Sequence, residues 1–98
     1  MEEANPKHVQ IQIQLDDDIA QGMYINLVLV NHTETEFTLD VMYLQPQQPK
    51  ARVRARLISS PKHVKRMVLA LQENLRRYEE RFGTVDVTGP NPADQLLQ

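Results

Sequence analysis

The sequence predicts an α+β domain: a four-stranded antiparallel meander packed against one long C-terminal helix, in ββββα order. Three observations predict it. Apolar and polar residues alternate over residues 9–15 and 50–58, apolar residues recur at spacings of three and four from 64 to 82, and a loop with two prolines separates the last two strands. The 98 residues, 41% of them hydrophobic, fit one domain at 9–83 between a flexible N-terminus (1–8) and a flexible C-terminal tail (84–98).

The first predicted strand places Val9, Ile11, Ile13 and Leu15 on one side and three glutamines on the other. Three aspartates follow at 16–18. They lack the ligand spacing of a calcium loop, so we interpret residues 16–22 as a single helical turn with acidic residues at its N-terminus, ended by Gly22.

The second, third and fourth predicted strands cover residues 24–30, 36–44 and 50–58. If Leu44 faces Lys50 across the proline loop, one face of the hairpin is wholly apolar. Its pairs are Tyr43–Ala51, Val41–Val53, Leu39–Ala55 and Phe37–Leu57. A shift of one residue would oppose apolar to charged side chains, so we expect this register. The other face then pairs Met42–Arg52, Asp40–Arg54 and Thr38–Arg56, which places Asp40 beside the arginines.

The predicted helix begins with Ser60 as the N-terminal cap and Pro61 at the first helical position, and Gly83 ends it. A continuous apolar stripe runs along it: Val64, Met67, Val68, Leu71, Leu75, Tyr78 and Phe82. Residues 84–87 are a candidate for a short additional strand.

One helix covers one face of a sheet, yet the second and third strands are apolar on both faces. We expect Ile25, Leu27 and Leu29 to point towards the helix. The uncovered face then holds the predicted dimer interface: Tyr24, Val28, Val30, Met42 and Leu44. Several hundred Å² of exposed apolar surface is more than a soluble monomer usually tolerates, so we predict a homodimer.

Charge is distributed unevenly along the chain. One basic against eight acidic residues gives −7 for 1–49, nine against one gives +8 for 50–77, and one against four gives −3 for 78–98, which sum to the net −2. The basic region supplies a predicted partner-binding stripe: Lys50, Arg52, Arg54, Arg56, Lys62, Lys65 and Arg66. Three interpretations stay open: an edge strand protected from aggregation, a surface for an acidic protein, or a nucleic-acid surface. A pI near 5.9 and few aromatic residues weigh against the last.

The sequence contains little evidence of a catalytic site. There is no cysteine and no glycine-rich phosphate loop, and both Ser59 and Ser60 are accounted for by the helix cap. His32, Glu34 and Glu36 are better interpreted as a solvated turn than as metal ligands. We therefore expect no enzyme activity, no cofactor and no bound metal. The lack of a membrane-length apolar run and of a signal-peptide pattern favours a cytoplasmic protein.

Five segments occur in the order and spacing of a known family: 22–27 (GMYINL), 32–40 (HTETEFTLD), 49–53 (PKARV), 56–66 (RLISSPKHVKR) and 70–79, with ALQENL and YE. Across residues 9–83 the chain resembles DUF3467, a family of short bacterial and archaeal proteins described as a domain of unknown function. The resemblance implies a small one-domain prokaryotic protein and supplies no catalytic residue, cofactor or reaction.

Taken together, the sequence predicts a non-catalytic interaction module that contacts an acidic protein through its basic stripe. The alternative is a nucleic-acid-binding or transcription-associated protein that uses the same residues. A third hypothesis is a chaperone-like groove for extended apolar segments on the uncovered sheet face, which burial of Val28, Val30 and Met42 in an obligate dimer would exclude.

Overall fold

The computed structural model describes residues 9–92. A short helix α1 (Asp17–Ala20) precedes a three-stranded antiparallel sheet and a long helix α2. The strands are β1 (Leu27–His32), β2 (Phe37–Leu44) and β3 (Ala51–Ser59), arranged in the order β1-β2-β3, and α2 spans Pro61–Phe82. The α+β class is confirmed. The flexible N-terminus predicted for 1–8 and the end of the predicted tail, 93–98, lie outside the described residues.

The prediction of four strands is wrong. Residues 9–15 form no strand, and no backbone hydrogen bond joins them to the sheet within residues 9–92. Their apolar side chains are 63–91% exposed. Alternation identifies a segment with one apolar face, but it does not specify which strand edge will accept the segment. The additional strand considered at 84–87 does not form either.

Helix α2 begins and ends where the sequence predicts. The Ser60 hydroxyl oxygen accepts a hydrogen bond from the backbone N–H of His63 at 3.2 Å, and Pro61 occupies the first turn, where its missing N–H is not needed. Gly83 follows the last turn with φ +98°, a conformation that favours glycine, and its N–H bonds to the Glu79 carbonyl.

The expected packing of α2 against the sheet is wrong for the single chain. Extensive contacts between elements join β1 to β2 and β2 to β3, and α2 buries no residue. The large residues of its apolar stripe from Met67 to Phe82 are 38–64% exposed. The periodicity therefore identified an amphipathic helix correctly, but the apolar face has no cover within residues 9–92.

The core lies at the centre of the sheet. Leu27, Val41 and Met42 are its buried apolar residues among those described, and Asp40 is buried beside them. The chain is extended around this small core. It exposes 9105 Å², against roughly 5800 Å² for a compact monomer of its 11.4 kDa mass. Its radius of gyration is 17.6 Å, against about 13 Å for a compact domain of this length.

The predicted register of the β2–β3 hairpin is also wrong. Leu39 pairs with Leu57 and Val41 with Ala55, two residues away from the predicted partners. The pairing then shifts, so that Met42 faces Val53 and Tyr43 faces Arg52. This β-bulge leaves Arg54 as the extra residue of β3. A bulge exchanges the faces of all residues beyond it, and this determines how the cations of β3 are arranged.

Candidate functional site

The β-bulge divides the basic residues of β3 between the two faces of the sheet. Directly paired residues of an antiparallel sheet point to the same face. Arg52 pairs with Tyr43, and Arg56 pairs with Asp40. Because Tyr43 and Asp40 are an odd number of residues apart on β2, they point to opposite faces, and so do their partners Arg52 and Arg56. The prediction that Arg52, Arg54 and Arg56 form one stripe on one face is therefore wrong.

Arg56 forms an ion pair with a carboxylate of its own chain. Its Nε and Nη2 atoms donate to the two carboxylate oxygens of Asp40 at 2.7 and 3.0 Å, a bidentate pair. Asp40 is 4% exposed. The hydrogen bond from Arg56 lowers the pKa of Asp40 despite partial desolvation, and Asp40 raises the pKa of Arg56 in return. The expectation that Asp40 lies beside the arginines is confirmed, with Arg56 rather than Arg54 as its partner.

Lys50, Arg52 and Arg54 form what we call the basic cluster, at the end of the sheet next to the β2–β3 loop. With Tyr43, Gln45 and Gln48 they line an open depression of about 320 Å³. All three cations are exposed. The cluster thus combines positive charge with amide and phenol groups around one shallow concavity.

The side chain of Arg54 is held in place by two tyrosines. Its guanidinium carbon lies 5.6 Å from the centre of the Tyr43 ring, and its Nη1 donates to the backbone carbonyl of Tyr24 at 3.4 Å. The two tyrosine rings meet edge to face, with centroids 6.1 Å apart. Sequence reasoning did not assign Tyr43 or the loop glutamines to the site. The position of Tyr43 next to the proline loop was the available signal.

The other cations of the basic region fall into two groups. Arg76 and Arg77 bind Glu73, and Arg76 also binds Glu80, on the solvent-exposed polar face of α2. These bonds, the one from Arg76 above all, lower the pKa of Glu73 to about 2. By contrast, Lys62, Lys65 and Arg66 in the first two turns of α2 are exposed and make no ion pair within residues 9–92.

The predicted dimer-interface residues do not share a face. Val28 pairs with Val41 and Val30 with Leu39, whereas Met42 pairs with Leu27 on the opposite face. Leu44, two residues after Met42 on β2, lies on the Met42 face, and Tyr24 contacts Tyr43 on the other. Each sheet face therefore carries its own apolar residues, and grouping these five on one face was wrong. Their role in a dimer stays a prediction.

Groups for metal or acid–base chemistry are sparse in the described part of the chain. His32 stacks on Phe37, with ring centroids 5.3 Å apart, while Thr33 organises the turn that carries Glu34 and Glu36. No cluster of three or more histidine, aspartate or glutamate residues within 9–92 is arranged to hold a metal ion. No helix in the same range has the length and hydropathy needed to cross a membrane.

The comparisons with known proteins identify a family. The family model described as Protein of unknown function (DUF3467) matches residues 1–87. Neither a curated protein nor a solved structure matches the chain. The match includes the whole sheet, the basic cluster and α2, and it confirms the resemblance found over residues 9–83. The chain belongs to the DUF3467 family.

Proposed function

We propose that this protein is a non-catalytic interaction module of the cytoplasm, acting as a homodimer, and that its basic cluster contacts an acidic surface of a protein partner. The observation that carries the proposal is how the cations are used. Arg56, Arg76 and Arg77 bind carboxylates of their own chain, whereas Lys50, Arg52 and Arg54 have no carboxylate partner within residues 9–92 and line one depression together.

The chemistry of the cluster suits carboxylates. An arginine presents a planar set of N–H donors that matches a carboxylate in two parallel hydrogen bonds. Arg54 is already oriented by the Tyr43 ring and the Tyr24 carbonyl, so binding would cost less side-chain entropy than for a freely moving arginine. Gln45 and Gln48 add neutral donors and acceptors at the rim of the same depression.

The charge of the rest of the chain favours protein over nucleic acid. The net charge is −2, and the aspartates at 16–18 are exposed. A net negative charge opposes the long-range attraction of an extended phosphate backbone, whereas a short acidic protein segment can contact the cluster alone.

Nucleic acid remains the second candidate because of one observation. Tyr24 is 71% exposed, and its ring lies beside Tyr43 and Arg54. An aromatic ring next to a cation is the arrangement on which single-stranded bases stack. The two functions use the same residues and differ in the polymer that they bind.

A titration with two defined probes tests the proposal. A fluorescent polyglutamate peptide and a fluorescent single-stranded oligonucleotide are titrated with the whole protein at about 50 mM and about 200 mM salt. The variants are Arg52→Glu/Arg54→Glu in the cluster and, as a control that reverses one charge outside it, Arg81→Glu at the far end of α2. A native-cell pull-down with nuclease then compares the same variants.

The proposal expects the peptide to bind more tightly than the oligonucleotide. It also expects binding to fall at least about tenfold in R52E/R54E and to change little in R81E. The pull-down should retain an acidic protein after nuclease treatment, and the double variant should lose it. Oligonucleotide binding that exceeds peptide binding, with a steep salt dependence, would replace the proposal by the second candidate. Equal binding by wild type and R52E/R54E would refute both.

A further inference from the structure

Residues 9–15, which we call the N-terminal segment, have the pattern of a strand without a sheet. The segment forms neither a helix nor a strand, and its apolar side chains alternate with glutamines. Within residues 9–92 its one side-chain bond is local, from Gln14 to Asp16, and its apolar side chains are 63–91% exposed. A regular apolar face of this kind is a strong sign of a strand that is half-buried in a sheet.

The two edges of the sheet differ in whether they can accept such a strand. The outer edge of β3 carries three arginines and a bulge, both of which prevent edge-to-edge pairing. The outer edge of β1 has neither. Its sequence, LVLVNH, contains no charged residue, proline or glycine, and its first four residues are apolar. Within the described residues, β1 is thus the edge suited to receive another strand.

The single chain also leaves more surface uncovered than one added strand alone would account for. Its accessible area exceeds that of a compact monomer of the same mass by more than half. The apolar stripe of α2 contributes to the excess. The excess of about 3300 Å² per chain is larger than the roughly 1000–2500 Å² that each copy buries in an obligate homodimer, so a second copy can cover much of it, whereas a small ligand would cover far less.

We propose that the N-terminal segment of each copy adds as a strand to the free edge of β1 in a second copy. The proposal specifies how the proposed self-association is made, and it rests on that association. The exchange is reciprocal, since the same segment and the same edge are present in both copies. A two-fold arrangement closes after two chains and leaves neither β1 edge open to further pairing. Main-chain hydrogen bonds supply affinity, and the alternating apolar side chains fix the register.

An isotope-filtered NOE experiment on mixed dimers tests the exchange directly. Copies labelled with ¹³C and ¹⁵N are unfolded, mixed with unlabelled copies and refolded, so that signals between copies are separated from those within one copy. The proposal expects intermolecular NOEs from Ile11 and Ile13 to residues of β1, Leu27–His32. Three results would each overturn the proposal. The segment could show NOEs only to its own chain, the intermolecular NOEs could be confined to α2, or the protein could be a monomer.

Two aspartate variants of the N-terminal segment provide a second test. Ile13→Asp places a charge on its apolar face, and Gln12→Asp places the same charge on its polar face. The dimer dissociation constant should rise at least about tenfold for I13D and less than about threefold for Q12D. Far-UV circular dichroism checks that α2 and the sheet persist in both. Equal dissociation constants for I13D and the wild type would refute the exchange.

The two proposals fail separately. R52E/R54E changes the cluster and leaves the N-terminal segment and the β1 edge intact, so the intermolecular NOEs should persist in it even if no partner binds. Loss of these NOEs in R52E/R54E would contradict the separate placement of the two surfaces.

Discussion

The side chain of Asn26 extends the β1–β2 ladder, and its removal provides a test of the sheet as described. The backbone N–H of Asn26 donates to the Met42 carbonyl. Its side-chain Oδ1 accepts from the Leu44 N–H at 2.8 Å, and its Nδ2 donates to the Leu44 carbonyl at 3.0 Å. The amide side chain therefore takes the place of a peptide group opposite Leu44, immediately before β1 begins.

Asn26→Ala removes both side-chain hydrogen bonds. A hydrogen bond contributes about 0.5–1.5 kcal/mol net, and because Asn26 is exposed we take the lower half of that range. The pair is then worth about 1–2 kcal/mol, which corresponds to a fall in Tm of about 5–10 °C for a domain of this size. Urea unfolding and thermal melts at one fixed protein concentration measure it, since the proposed dimer would make Tm depend on concentration.

Asn31→Ala is the matched control. Asn31 lies on the same chain segment, is exposed, and makes no side-chain hydrogen bond within residues 9–92. The same substitution there should change stability by less than about 0.5 kcal/mol. If N26A is no more destabilising than N31A, the amide does not extend the ladder and the reasoning is refuted.

Asn26→Asp separates the donor from the acceptor. The carboxylate can still accept from the Leu44 N–H, but its second oxygen faces the Leu44 carbonyl without a proton to donate. N26D should therefore be less stable than the wild type at pH 7. The difference should narrow as the pH falls through about 4, where an aspartate gains a proton. A difference that is constant with pH would contradict this geometry.

Three further predictions concern the core, the ion pair and the helix cap. Met42→Ala should destabilise the fold by about 2–5 kcal/mol in urea unfolding, because Met42 is 4% exposed, and Val53→Ala at a half-exposed position should cost clearly less. The folded pKa of Asp40 is lowered, so its contribution to stability is present above its unfolded pKa and is lost as the pH falls through the folded value. Asp40→Asn should accordingly flatten the acid limb of a stability–pH profile, and an unchanged limb would count against the pair with Arg56. Ser60→Ala should lower stability by about 0.5–2 kcal/mol and reduce helix content by circular dichroism, because the N–H of His63 loses its acceptor.

Local signals predicted α2 well. Ser60, Pro61 and Gly83 each act on backbone groups within one turn, so their effect can be read from neighbouring residues alone. The surface that buries the apolar stripe of the helix is determined by tertiary or quaternary packing, which involves residues far away in the sequence. Periodicity identifies the face to be buried, but not the surface that buries it.

The register of β2 and β3 could not be obtained from alternation. A shift of one residue exchanges the faces, but a shift of two restores them. The pairings Leu39–Ala55 and Leu39–Leu57 are therefore equally consistent with the pattern, and the second is the one that forms. Arg54 then bulges out of the ladder, and a bulge has no signature in an alternating sequence.

The same bulge explains why the candidate site was predicted only in part. The sequence identified Lys50, Arg52 and Arg54 as basic residues of one strand, and they do line one depression. It also assigned Arg56 to the stripe, although Arg56 pairs with Asp40 on the other face. Separating Arg56 from the basic cluster required the register of β2 and β3, which the pattern of charges does not define.

One copy of this chain leaves apolar surface open, and we propose that a second copy covers it. Sedimentation equilibrium of the purified whole protein over a wide concentration range distinguishes one copy from two. We expect a species of about 23 kDa, twice the 11.4 kDa chain, that persists on dilution. A mass of 11.4 kDa at every concentration, with the N-terminal segment and the stripe of α2 still exposed to solvent, would contradict it.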